Sequence, residues 1–133
     1  MEGIWNTRLK IMGEIKTFQD LEVWREGHAF VLEIYSATRN FPTDERFGLV
    51  SQMRRAAVSI TSNIAEGFGR FSYQEKIRFY SIARSSLREI QNQLLISKDV
   101  GYLMEQFFNS LWNRSVTVDQ LLRGLIRASR VRA

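Results

Sequence analysis

Gln52-Met53-Arg54-Arg55-Ala56-Ala57-Val58-Ser59-Ile60-Thr61-Ser62-Asn63-Ile64-Ala65-Glu66-Gly67-Phe68-Gly69-Arg70 is the stretch that decides how this chain is built. Met53, Ala57, Ile60 and Ile64 recur at steps of three and four, the spacing of one helix face, and Val50 begins the same seam. Alanines and serines crowd the remaining surface, and Gly67 and Gly69 follow as a stop. The pattern predicts a helix on which neighbours pack closely while Arg54, Arg55 and Arg70 project outward. That combination points to a helical assembly with a surface for nucleic acid.

Working outward, three further helices follow from the same period. Leu21, Trp24, His28, Val31, Tyr35 and Thr38 predict one over about Asp20 to Arg39, interrupted by Asn40-Phe41-Pro42-Thr43, because proline disfavours helix in the residue before it. Thr43 or Asp44 is expected to cap the second helix, whose positive end favours Asp44 and Glu45. Ser72-Tyr73-Gln74-Glu75 reads as a capping box opening a third helix with the seam Tyr80, Ala83, Leu87, Ile90 and Leu94. Phe107, Leu111, Val118, Leu122 and Leu125 mark a fourth, from about Met104 to Arg127. Short connections force antiparallel neighbours, so the expected fold is an all-α, antiparallel up-down four-helix bundle. Residues 1–17 form an N-terminal extension expected to be mobile, residues 18–127 the bundle, and residues 128–133 a basic tail.

The 133 residues suffice for one core. Cysteine is absent and His28 is the single histidine, which leaves too few ligands for a zinc or haem site, so no metal or cofactor is expected. With no run of about 18 apolar residues there is no predicted bilayer span, and a cytoplasmic, membrane-free protein is the expectation. The net charge of +5 is unevenly spread: residues 1–40 hold five Lys/Arg against six Asp/Glu, whereas residues 71–133 hold ten against five. A basic half of this kind favours polyanions, because cations release counterions from a phosphate backbone.

The arginines are the candidate contacts. Arg84 and Arg88 lie four apart on the third helix. Arg123, Arg127 and Arg130 repeat at four and three on the last, with Arg132 beyond them. Like charges on one stripe repel, so such a stripe suggests an anionic partner. Arg114 and Arg70 complete the expected nucleic-acid-binding set. Arg123 could also pair with Asp119, and for Arg54 and Arg55 a structural role is at least as well supported. A second surface is the polar column of the second helix, where Arg55, Ser59, Ser62 and Glu66 suggest a tight subunit contact. Ile82 and Ile96, off the third helix's main seam, ask for cover and join it as an expected homo-oligomer interface. Trp24 and His28 read as packed seam residues, although exposed rings can stack on bases.

Catalysis is not expected. Asn63 and Glu66 share a face without a second poised group, no serine sits in a nucleophile elbow, and Gly67-Phe68-Gly69 follows a helix, not a strand.

Phe18-Gln19-Asp20-Leu21-Glu22-Val23-Trp24, Phe41-Pro42, Gln52-Met53-Arg54-Arg55-Ala56, Ser59-Ile60, Asn63-Ile64-Ala65-Glu66-Gly67, Arg70 and Ser72 together resemble the bacterial four-helix-bundle proteins encoded in 23S rRNA intervening sequences. The resemblance spans about residues 15–126. That family looks related to the accessory variability determinant of diversity-generating retroelements, a basic homopentameric barrel that binds a reverse transcriptase and nucleic acid. The resemblance implies a non-enzymatic pentamer with a positive surface for RNA, DNA or RNA–protein complexes, with a reverse transcriptase as a further partner. One departure is Ser85-Ser86, where the family usually has glycine-serine. A protein-interaction scaffold, docking an acidic protein on the basic face, is the alternative.

Overall fold

A short 3₁₀ turn, Phe18–Asp20, leads into the first helix. The Asp20 carboxylate gathers the backbone N–H groups of Lys16 and Thr17 at 2.9 and 3.1 Å. The computed structural model describes residues 15–133. Four helices follow: α1 (Glu22–Thr38), α2 (Leu49–Phe68), α3 (Tyr73–Asp99) and α4 (Glu105–Arg132), and no strand occurs among the described residues. α1 and α3 each pack on both α2 and α4, which closes the four-sided bundle expected of short connections.

Three of the four seams follow the sequence. Val50, Met53, Ala57, Ile60 and Ile64 of α2 are buried, as are Tyr80, Ala83, Leu87, Ile90 and Leu94 of α3. In α4, Leu111, Val118 and Leu122 are buried, but Phe108 and Ile126 replace the expected Phe107 and Leu125. The α1 seam agrees in part: the expected Leu21, Val31 and Thr38 are buried, but Val23, Gly27, Phe30 and Ile34 complete the inward face, while Trp24 is half-buried and His28 and Tyr35 are exposed. Gly27 explains the difference. A Cβ there would lie 3.1 Å from Thr61 Cγ2, so α2 lies against a residue that no hydrophobic pattern can flag. Trp24 instead stacks on the His28 ring, with centroids 4.8 Å apart, and meets Phe18 edge-on.

The helix ends also differ in detail. Thr43–Glu45 is a separate 3₁₀ turn, and neither Thr43 nor Asp44 caps α2. Glu45 does so: its Oε1 accepts the Leu49 N–H at 3.2 Å, and its Oε2 accepts the Tyr102 hydroxyl at 3.0 Å. Ser72 caps α3 as expected, accepting the Glu75 N–H at 3.1 Å, while the Glu75 carboxylate turns away to Arg78. Of the two expected stops, Gly69 caps the end of α2 in a right-handed conformation, while α2 runs through Gly67 to Phe68. The sole positive-φ residue described is Gly101, which ends the α3 turn at φ 89°. Residues 128–132 are no tail either: α4 continues to Arg132, with Ser129 buried against its own helix. Of the expected mobile extension, Ile15 packs on the core, and residues 1–14 lie outside the described residues.

The close approach foreseen for the serine and alanine surface of α2 is made within the chain. Ser59 Oγ and Ser86 Oγ are 2.8 Å apart across α2 and α3, and Asn63 donates to the Ser59 carbonyl at 2.8 Å. Ser59 therefore makes a bundle contact within the chain. Ser85, at the departure from the family pattern, is exposed and donates to the Ser81 carbonyl. Buried Ser97, Ser115 and Ser129 likewise return their hydroxyls to carbonyls three or four residues back, so they bury without orphaned donors.

Candidate nucleic-acid interface

Antiparallel packing of α3 on α4 sets Arg84 opposite Asp119. The guanidinium donates through Nε at 2.8 Å to Asp119 Oδ1 and through Nη2 at 3.5 Å to Oδ2. One turn along α4, Arg123 Nε reaches Asp119 Oδ2 at 3.3 Å. A single carboxylate thus orients two arginines. Beyond it, Ser81, Arg84, Arg123, Ile126, Arg127 and Arg130 surround a hollow of about 200 Å³. Ile126, buried, belongs to the core beneath. Arg127 and Arg130 are exposed and make no ion pair among the described residues, and the same holds for Arg88, one turn from Arg84 on α3. Arg132 ends the stripe, donating to the Tyr73 hydroxyl at 3.4 Å.

Two of the expected arginines lie elsewhere. Arg114 faces α1, where Nη1 donates to Glu26 at 2.6 Å and Nε contacts Glu33. It clamps α1 to α4 and is not a free phosphate contact. Arg70, on the α2–α3 turn, pairs with Glu66 at 3.1 Å and lies 4.5 Å from the Phe79 ring centroid, which Arg78 also approaches at 4.6 Å. Glu66 is accordingly paired at its own helix end. Arg54 is structural: it donates to Thr38 Oγ1 at 3.0 Å and to the Tyr35 carbonyl at 3.2 Å, so a cation meets the negative end of α1.

Arg55, Ser62 and Glu66 are exposed on α2, and Ile82 and Ile96 are exposed on α3, at 38% and 42%. Among the described residues His28 makes no ion pair, and its ring stacks on Trp24. Sequence reasoning missed Ser81 and the doubled role of Asp119. The i, i+4 spacing to Arg123 showed half of that role, but the Arg84 half depends on a residue 35 positions away. No helix among the described residues is long and apolar enough to cross a membrane.

The arrangement defines an all-α bundle with a cationic α3/α4 face. The chain belongs to the family of 23S rRNA-intervening sequence proteins, whose family model matches residues 19–124. Among solved structures it is similar to a protein of unknown function from the S23 ribosomal protein family of Bacteroides thetaiotaomicron VPI-5482. The two share 23% identity and a TM-score of 0.74, over 79% of this chain and 95% of the other, a likeness that shows the fold. The sequence has no match among curated proteins.

Proposed function

We propose that this protein binds RNA through the α3/α4 arginine face and acts by binding, not by turnover. The observation that carries this reading is the convergence of Arg84, Arg123, Arg127 and Arg130 on one hollow, with Arg88 beside it and a single acid to offset them. Guanidiniums crowded on one face with a single carboxylate among them repel one another, and a phosphate relieves that repulsion while releasing counterions. The family's connection with 23S rRNA makes structured RNA the first substrate to try, with DNA as the comparison. A homo-oligomer, five copies by the family resemblance, would cover Ile82 and Ile96. A reverse transcriptase is the protein partner which the resemblance to the retroelement accessory protein suggests.

Replacing Arg88, Arg127 and Arg130 with alanine is expected to weaken RNA binding about tenfold or more at low salt. The slope of log affinity against log salt should fall by roughly two to three. Because all three are exposed, the melting temperature should not move. An unchanged affinity and slope would remove this face from the proposal. Tight binding of an acidic protein, with RNA affinity indifferent to salt, would replace it with the scaffold reading.

Arg114→Ala is the contrasting variant. It leaves Glu26 and Glu33, each about one-third exposed, without their shared cation, so it should lower stability by about 1–2 kcal/mol after allowance for solvent screening. RNA affinity, measured well below the melting temperature, should stay as in the parent.

A further inference from the structure

The α3/α4 hollow has more charge and less room than backbone binding requires. Arg84, Arg123, Arg127 and Arg130 bring +4 and Asp119 brings −1, which leaves +3 around about 200 Å³. That volume is below the roughly 300–1,000 Å³ of pockets that enclose drug-sized ligands, and it is ample for a phosphate group. Asp119 points its oxygens into two guanidiniums, which orients donors while leaving the cluster cationic. A backbone phosphodiester carries one negative charge and two ester arms, both of which must leave the hollow. A phosphate monoester carries about −1.5 to −2 at neutral pH, with three free oxygens and one arm.

We propose that this hollow receives the terminal phosphate monoester of an RNA strand. The inference rests on the RNA-binding reading above and names the part of the RNA that the site prefers. In this arrangement Arg84 and Arg123, held by Asp119, present oriented N–H donors. Arg127 and Arg130 close over the phosphate from α4, and Ser81 offers a hydroxyl from α3. Arg132, beyond Arg130 at one end of the hollow beside Tyr73, meets the phosphate of the following nucleotide, while Arg88 lies past the other end, one turn beyond Arg84. A cation beyond the hollow favours a strand end over a free phosphate ion, which could not reach it.

The test is fluorescence anisotropy with the full chain and one short RNA carrying a 5′-hydroxyl, a 5′-phosphate or a 3′-phosphate. A phosphorylated end is expected to bind about tenfold tighter than the hydroxyl form. The double variant Arg127→Ala, Arg130→Ala should abolish that preference. Asp119→Ala should reduce the preference even though it removes a negative charge, because Arg84 and Arg123 lose their orientation; a gain would mean that only net charge matters and would count against the geometry. Arg39→Ala, exposed at the far end of the bundle, should change nothing.

Equal binding of all three RNAs with a steep salt dependence would overturn this inference and leave the RNA-binding reading standing. A preference that survives in the double variant would overturn the site. Competition by inorganic phosphate or adenosine monophosphate as strong as that by the phosphorylated strand would assign the hollow to free phosphates and overturn the strand end. No RNA binding in any form would sink both readings together.

Discussion

Phe30→Ala is expected to destabilise the bundle by about 3–5 kcal/mol, the largest single effect the core can deliver. Phe30 is fully buried on the inward face of α1, among the largest enclosed side chains of the protein. Its removal deletes apolar surface and leaves a void that surrounding Ile and Leu side chains on rigid helices can only partly close. Domains of this size are stable by roughly 5–15 kcal/mol, so the variant should lose about a fifth or more of the total. The corresponding fall in melting temperature is roughly 10–20 °C. Urea titration followed by far-UV circular dichroism measures it directly. The comparison Tyr35→Ala sharpens the test, because the two frames of α1 predict opposite orders: Tyr35 is exposed and should cost far less. A larger loss from Tyr35 than from Phe30 would restore the seam read from hydrophobic periodicity and reject the observed one.

Gly67→Ala is the second. In most helices this exchange stabilises, since alanine has the better helix propensity by about 1 kcal/mol. Here the new Cβ would lie 2.6 Å from Tyr80 Cε1, 2.9 Å from Tyr80 Cδ1 and 3.1 Å from Phe79 Cβ. Tyr80 cannot swing aside. It is buried against the core, and that burial, assisted by neighbouring Tyr73, pushes its phenol up to about 12. The helices must therefore move apart at the α2–α3 turn, with a net loss of about 2–3 kcal/mol. Gly124→Ala in α4 is the internal control. Nothing lies within 4 Å of a Cβ built there, so propensity alone acts and stability should rise by up to about 1 kcal/mol. Losses of equal size at both positions would show that close packing at Gly67 is not what that glycine provides.

These two variants separate kinds of information that sequence carries unequally. Met53, Ile60 and Ile64, like Leu87, Ile90 and Leu94, announce their burial through period alone, because an amphipathic helix has one face to hide. α1 misled the same reasoning. Its large aromatics Trp24 and Tyr35 fall on one line and dominate any hydrophobic count, yet the buried line passes through Gly27, where the absence of a side chain is what lets α2 approach. Gly67 repeats the point. Read as a chain terminator, it is instead a place where another helix touches the backbone.

The arginines divide in the same way. Arg84, Arg114 and Arg127 look alike in sequence, each on a helix of alternating polar and apolar residues. In the folded chain Arg114 is clamped by Glu26, 88 positions away, Arg84 is oriented by Asp119, 35 positions away, and Arg127 makes no ion pair among the described residues. Only pairs within one turn were legible beforehand, such as Asp119 with Arg123. Ser59 belongs with them: its polar character was plain, but whether it met a subunit or its own α3 depended on Ser86.

Sequence by itself thus determined four helices, their order, three of their buried faces and a basic second half, because helical period and charge composition are properties of neighbouring residues. Which arginines remain unpaired, and that four of them surround one hollow, was decided by tertiary structure alone. Ion pairing depends on the azimuth at which one helix meets another, and that angle is set by the glycines, alanines and serines at the contact, whose small size leaves almost no signature in the sequence pattern.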